Sequence, residues 1–572
     1  MSVLTIGLVK PFHMRERDPM GKSIFAKFFR AICLILFWGM SFLVVFPFLA
    51  YSLGLFSLLP RNAMAVLGVL IVVAILGVAG WSFRQALWFR RPKILPLALL
   101  IIGFLLLQPF AFVREAFGEW QMGSLLLTIQ ENQASTMLNV GIHDFTPQLI
   151  KQITYLLLAT GAALFLLSSS RTAARQISLV GVVAILSSPV SEYALRLILP
   201  VPAHALAVER FLEGHQVTQA PERQKNLVIV YLESLERTYS EIEETRAAYA
   251  PFAEFERQGL AFNNIVQVAG TQFTAAGLVA TQCGVPLLAR GVFHVGRKMK
   301  ANEDVIPDFT EFLPGVTCLG DILTRDGYNA SYVNGSRLTV FSKGALFRSH
   351  GYQRVFGLRS YDGWEEEPRT NLWGMNDDLL FERVKRELGH LAAKDAPFLL
   401  STLTLSTHGP DALLDGTCPA DETALSKLPA AISCSGAHVA DLINEIKRLG
   451  IWDDTIVLLA SDHLAARNTL YDQLSARKEA RRNQVTFLNA GSVRQVDRLG
   501  SMVDVYPTIL ELLGYQLQNG TANMGTSLLS DQPNFVETHG VEGFNESIRG
   551  NSDMQELLWL AQGTRAASIT LD

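Results

Sequence analysis

Four places in the 572-residue chain set reactive side chains just beyond an apolar run. Glu233 follows NLVIVYL, His408 follows FLLSTLTLST, and the pair Asp462-His463 follows TIVLLAS. The fourth is the small-residue stretch AGTQFTAAG, residues 269–277, which leads into an apolar helix and carries Thr271 and Thr274. Two carboxylates, an imidazole and a hydroxyl form an oxygen/nitrogen donor set suited to one divalent ion, Mn²⁺ or Zn²⁺. A threonine at a helix N-terminus beside such an ion can lose its proton and attack phosphorus. Each residue alone has a plainer reading. A carboxylate after a strand caps the next helix, a lone histidine there is structural, and threonine is a good N-cap. Together they point to a metal-dependent nucleophilic centre. Thr274 is the favoured nucleophile because Ala-Ala-Gly follows it and lets a phosphate approach the first backbone N–H groups of the helix. Thr271 would then cap that helix, and Ser234 is the third candidate.

Such a centre needs strands that end together. Short apolar strands are expected at 226–232, 329–333, 397–405, 455–460 and 484–488, alternating with amphipathic helices at 377–391, 438–449 and 503–513. That alternation argues for one large α/β domain with a mostly parallel sheet and helices on both faces. In such sheets ligands sit beyond the carboxyl ends of the strands, where the four places fall.

The first 200 residues are of another kind. The run between Arg30 and Arg61 is uncharged, and further apolar spans are expected at 63–83, 94–113, 152–167 and 177–199; roughly 20 apolar residues cross a bilayer core. Residues 1–199 therefore read as a membrane domain of about five helices. The first run is too long and too poor in small residues for a cleaved leader, and so reads as an anchor. The segment 114–151 reads as an external loop, 200–224 as a linker, and 225–572 as the catalytic domain. Basic residues cluster before the first span, between the second and third, and between the fourth and fifth. By the positive-inside rule everything after residue 199 lies outside the cytoplasm. The chain ends at Asp572, so a long C-terminal extension is not expected.

Charge and cysteines agree with that division. Residues 1–200 hold 16 Lys+Arg against 7 Asp+Glu (+9), and the rest hold 33 against 46 (−13). An acidic soluble part is a poor footprint for nucleic acid. Cys33 sits in an apolar run, while Cys283, Cys318, Cys418 and Cys434 all fall in the external part. There they have three ways to form two bridges, and pairing between neighbours, Cys283–Cys318 and Cys418–Cys434, is the expectation.

The segments ESLERTY, GTQFTAAGLVATQCGVPL, CLGDILTRDGY, SHGY, STHGPD and SDHLA closely resemble the phosphoglycerol transferase I family. That family modifies osmoregulated periplasmic glucans and is related to lipoteichoic acid synthases and lipid A phosphoethanolamine transferases within the alkaline phosphatase/sulfatase superfamily. VDVYPTILELLG, 503–514, is also typical of the superfamily. The resemblance covers roughly residues 226–530. It implies an alkaline phosphatase/sulfatase-like fold, with Glu233, Asp462, His463 and Thr274 on the metal, Thr274 as nucleophile, and His408 on the substrate phosphate or leaving oxygen. In lipoteichoic acid synthases an aromatic-x-Arg element binds phosphoglycerol; the comparable stretch here is Phe341-Ser342-Lys343, with a point charge replacing a bidentate fork.

The residues and the resemblance together imply a multi-pass enzyme of a bacterial inner membrane with its catalytic domain in the periplasm. Its donor would be phosphatidylglycerol, a membrane lipid, and its acceptor a glycan. The nearest alternative is a phosphoethanolamine transferase. A sulfatase would need the C-x-P-x-R motif or its serine variant, and Cys283 is followed by Gly-Val-Pro-Leu instead. A non-catalytic scaffold is disfavoured because every residue of the metal set is present.

Overall fold

The computed structural model describes residues 94–117, 134–169, 171–198, 201–213, 217–288, 311–361, 370–371, 373–419 and 426–560, with a few helical residues between 32 and 45. The chain divides into two compact units, one of Met1–Phe112 with Gln148–Glu192 and one of Val113–Pro147 with Tyr193–Asp572.

In the first unit, the two expected spans before residue 84 fall almost wholly outside the described residues. Two helices, α1 (Ile94–Phe117) and α2 (Ala134–Ser169), are long and apolar enough to cross a membrane. Among the described residues a third span arises only if α3 (Arg171–Leu186) and α4 (Pro189–Ile198), bent by 55° at their junction, are taken as one. The expected continuous span at 177–199 is therefore broken. Pro189 starts the second piece, at a position where a missing N–H costs a helix nothing. The expected loop at 114–151 is also corrected, since α2 already runs through 134–151. Helices α1 and α3 approach closely at Gly181, where a Cβ would come within 2.5 Å of the Leu99 backbone, the small-residue contact typical of apolar helix pairs.

The second unit is a three-layer α/β domain. Its eight-stranded sheet contains β1 (Asn226–Leu232), β2 (Leu260–Phe262), β3 (Asn329–Asn334), β4 (Arg354–Phe356), β5 (Phe398–Leu403), β6 (Thr455–Ser461), β7 (Val485–Leu488) and β8 (Arg494–Val496), in the order β8-β2-β7-β6-β1-β5-β3-β4. All pairings are parallel except those of β7 with β6 and β2. The central strand shows why the sequence adopts this arrangement. NLVIVYL is an unbroken apolar run, as a strand covered on both faces requires. Leu227, Ile229 and Tyr231 enter one apolar core, and Val228, Val230 and Leu232 enter the other, following the two-residue period of the strand. The first core also takes Leu278 and Val279 of α6 (Thr274–Cys283), Leu346 and Phe347 of α7 (Lys343–Ser349), and Ile509 of α10 (Val505–Leu512). The second takes Leu380, Val384 and Leu388 of α8 (Asp377–Ala392) and Val439, Leu442 and Ile446 of α9 (Leu428–Arg448).

Residues 200–224 are not a simple linker. Within them α5 (Pro202–Glu213) buries Ala207 and Phe211 in the first core, and Val217–Gln219 pairs with Gln516–Leu517. Arg210 donates to the Met524 carbonyl and, at 2.5 Å, to Thr526 Oγ1. Arg196 binds both carboxylate oxygens of Glu546 on α11 (Phe535–Ile548). Both expected disulfides form, Cys283–Cys318 and Cys418–Cys434.

Candidate active site

Sheet register assembles the centre. Leu232 of β1 lies opposite Ser461 of β6, so the next residues, Glu233 and Asp462, leave the sheet side by side. The turn after β1 is tight, with Ser234 at φ 53°. Its N–H donates to Asp462 Oδ1 at 2.9 Å and its hydroxyl to Glu233 Oε1 at 2.8 Å. The His463 N–H also donates to Asp462 Oδ1. On the other flank, Thr404 Oγ1 accepts from the Glu233 N–H and Thr407 Oγ1 donates to the Glu233 carbonyl. Helix α6 enters from above with Thr274 as its first residue. At Gly277 a Cβ would stand 1.6 Å from the Asp462 carbonyl oxygen; only glycine lets the first turn come this near. The Thr274 hydroxyl then reaches Glu233 Oε2 at 3.4 Å.

Glu233, Asp462 and His463 offer donor atoms within 4.8 Å of one another, and all three residues are buried. Their arrangement calls for a cation. His463 Nδ1 donates to the Leu464 carbonyl at 2.8 Å, so in the neutral ring Nε2 carries its lone pair. That lone pair faces Asp462 Oδ2 at 3.3 Å and Glu233 Oε1 at 3.5 Å. Asp462 Oδ2 is buried without a hydrogen bond. Protonation shows the same tension: burial and the Glu233 carboxylate push Asp462 up to about 8. Burial works against charge on His463, but Asp462 and Glu233 lift it to about 9. Glu233 is held well below the usual carboxylate range, with His408 and His463 outweighing its burial. A divalent ion among these atoms would relieve both the lone-pair repulsion and the like-charge pair.

His408 lies on the loop after β5. Its Nδ1 donates to the Gly409 carbonyl at 2.7 Å, and its Nε2 is 4.0 Å from Glu233 Oε1. Burial, and further the nearby Lys343 charge, hold the ring below its ordinary value and so neutral. Lys343 is itself buried, with its ammonium 6.0 Å from the Phe341 ring. Phe341 in turn packs on Phe273, the residue before Thr274, with ring centroids 5.6 Å apart. Glu233, Thr274, His408, Asp462 and His463 therefore lie close together, with Phe341 packed on Phe273 and Lys343 near it.

The two rival nucleophiles are occupied. Thr271 does not cap α6, whose N-cap position is Phe273; its hydroxyl donates to the Val268 carbonyl at 2.8 Å within a turn. Ser234 is engaged with Glu233. Sequence reasoning missed Thr404, Thr407, Gln267, whose Oε1 accepts from the Leu464 N–H, and Trp373, whose ring lies 3.8 Å from that of His408. Thr404 and Thr407 flank a named histidine; Gln267 and Trp373 carry no local signal.

Through the three-layer α/β domain that carries this centre, the chain belongs to the sulfatase family: the Sulfatase family model matches residues 225–515. Members of this family generally use a divalent metal. The chain is 33% identical over 320 residues to phosphoglycerol transferase I of Escherichia coli (strain SMS-3-5 / SECEC) and 32% identical to that of Citrobacter koseri. Each match covers 54% of this chain and 40% of the relative's length. Among solved structures, lipoteichoic acid synthase LtaP from Listeria monocytogenes matches at 15% identity with a TM-score of 0.46, over 61% of this chain and 97% of that one. A Vibrio parahaemolyticus protein of the alkaline phosphatase superfamily matches at 18% and 0.45, over 60% and 82%.

Cys283 lacks the C-x-P-x-R context and is bonded to Cys318, which removes its thiol from oxidation to a formylglycine.

Proposed function

We propose that the chain transfers phosphoglycerol from phosphatidylglycerol to a periplasmic glycan by way of a covalent Thr274 intermediate. The observation that carries this reading is the Thr274 hydroxyl, held at a helix N-terminus 3.4 Å from Glu233 Oε2, beside a donor set built for a cation. Glu233, Asp462 and His463 would hold one divalent ion, Mn²⁺ or Zn²⁺, with Thr274 facing it. When bound, that ion supplies polarisation of the threonine hydroxyl and neutralisation of phosphoryl charge.

In the first half-reaction the Thr274 oxygen bonds to the lipid phosphorus, and the bond from phosphorus to the diacylglycerol oxygen breaks. The neutral Nε2 of His408 takes the proton that Thr274 loses and passes it to the departing oxygen. In the second half Nε2, unprotonated again, takes the proton of an incoming sugar hydroxyl as that oxygen attacks phosphorus, and returns it to Thr274 as the bond from phosphorus to the threonine oxygen breaks. Backbone N–H groups of the first turn of α6 face the phosphoryl oxygens. Phe341 and Lys343 flank the head group, the aromatic ring along the glycerol and the ammonium toward the phosphate. The names of the relatives and the motif resemblance support this donor.

The apolar helices of the first unit and its basic flanks support a multi-pass protein of the bacterial inner membrane, with residues 225–572 as the periplasmic catalytic domain. A lipid donor gives the membrane helices a purpose. The test is to supply phosphatidylglycerol and phosphatidylethanolamine, each labelled in the head group, with mixed periplasmic glycans. Label should reach glycan from phosphatidylglycerol; transfer from phosphatidylethanolamine alone would overturn the donor and leave the phosphotransfer chemistry standing.

A further inference from the structure

We infer that Trp373 is a positioning residue for His408, and that residues 373–377 are the element that holds the His408 loop in its working geometry; this rests on the phosphotransfer reading above. The indole is only half-buried and belongs to neither apolar core. It packs instead on the imidazole, with ring centroids 3.8 Å apart and planes tilted by 32°.

The surrounding backbone fixes the indole in turn. Asn371 Oδ1 accepts from the Trp373 N–H at 2.8 Å and the Gly374 N–H at 3.1 Å. The Met375 N–H donates to the Gly335 carbonyl at 2.9 Å, beyond the end of β3. Four residues after Trp373, both oxygens of the buried Asp377 accept the N–H groups of Leu405 and Ser406, at 2.8 and 2.9 Å. One short segment thus grips the loop backbone just before His408 and covers the face of its ring.

The imidazole needs that cover. Its own hydrogen bond runs to the adjacent Gly409 carbonyl, which moves with the same loop and cannot anchor it to the rest of the domain. Nε2 stands 4.0 Å from Glu233 Oε1, and the side chain keeps 23% of its surface exposed. Without the indole the ring is free to turn toward solvent, carrying Nε2 away from the reacting oxygens. A misplacement of about 1 Å costs on the order of a hundredfold in rate.

The experiment uses the full-length protein in phosphatidylglycerol-containing detergent micelles, comparing wild type, Trp373→Ala and Trp373→Phe. Bound metal, kcat and KM are measured with the lipid and mixed periplasmic glycans as acceptor, and again with bis(p-nitrophenyl) phosphate, which asks about His408 without a lipid head group. Trp373→Ala should keep its metal, keep KM within about threefold and lower kcat about tenfold to a hundredfold on both substrates. Trp373→Phe, which retains a flat ring, should recover most of kcat. Unchanged kcat in Trp373→Ala overturns the inference while the transfer reading stands. A rise in KM alone also overturns it, since the ring would then be touching substrate, as does loss of metal, which would make it a structural residue. A wild-type protein that turns over neither substrate defeats the parent reading, and the inference with it.

Discussion

The two sides of the centre are built on different principles. On one side Glu233, Asp462 and His463 follow directly from the ends of adjacent parallel strands, and the register of β1 against β6 sets their spacing. On the other, His408 sits five residues beyond β5, on a loop whose place depends on side-chain ties: Trp373, Asp377, the Cys418–Cys434 bridge and the Asp415–His438 pair. Groups that would share a cation in the proposed reading are held by the sheet. The group that must meet a changing substrate is held by links that can be cut singly.

Cutting the sheet-mounted side should have the largest effect. Glu233→Gln, Asp462→Asn and His463→Ala should each lose bound metal together with activity, by at least about a thousandfold, as assayed by metal analysis beside lipid turnover. His408→Ala should separate the two sides by losing about a hundredfold or more in kcat while keeping the ion. An empty metal site in His408→Ala would mean that the two sides are one.

The disulfide comes next. Cys418 and Cys434 are 16 residues apart in sequence, and a loop of that size is worth about 3 kcal/mol. The double serine variant should therefore show a lower melting temperature and a reduced kcat, because the bridge ties the segment that follows His408 to α9. Full kcat with lowered stability would show that the bridge serves the fold alone.

The smallest effect is a pH dependence. The hydrogen bond between His438 Nε2 and Asp415 Oδ2, 2.9 Å long, outweighs the burial of both groups. It holds Asp415 well below 3.8 and His438 above 6.5. Asp415 contributes stability above its unfolded value, lost as pH falls through the lowered one; His438 contributes below 6.5, lost as pH rises through its raised value. The pair is therefore fully present between about 4 and 6.5. The melting-temperature difference between wild type and His438→Gln should be widest near pH 5.5 and shrink by pH 9. A difference independent of pH would assign the pair no electrostatic role.

The same division explains what the sequence disclosed. Strand-end residues were legible because an apolar run followed by Glu or Asp-His marks both the strand and its carboxyl end, and a parallel sheet brings such ends together. Strand β1 was expected to the residue, and β5 was expected to start one residue earlier and to run two residues further at its end, because Thr404 and Leu405 continue its apolar pattern while turning to bond Tyr231 and Asp377. The supports of His408 were not legible. Trp373 and Asp377 lie over thirty residues upstream, on a segment whose composition says nothing about which loop it meets. The bent α3–α4 pair and the folded stretch 200–224 were missed for a related reason: hydropathy measures length and apolarity, and is blind to where an apolar helix breaks or a polar-looking helix such as α5 finds a core to join.

The identity of the nucleophile is the central claim, and a trapped adduct tests it most directly. The protein is incubated with phosphatidylglycerol in the absence of any acceptor, quenched in acid, digested and mapped by mass spectrometry. Phosphoglycerol should be found on Thr274, and Thr274→Ala should carry none and transfer at least about a thousandfold more slowly. An adduct on Thr271 or Ser234 in the wild-type protein, or full transfer by Thr274→Ala, would contradict it.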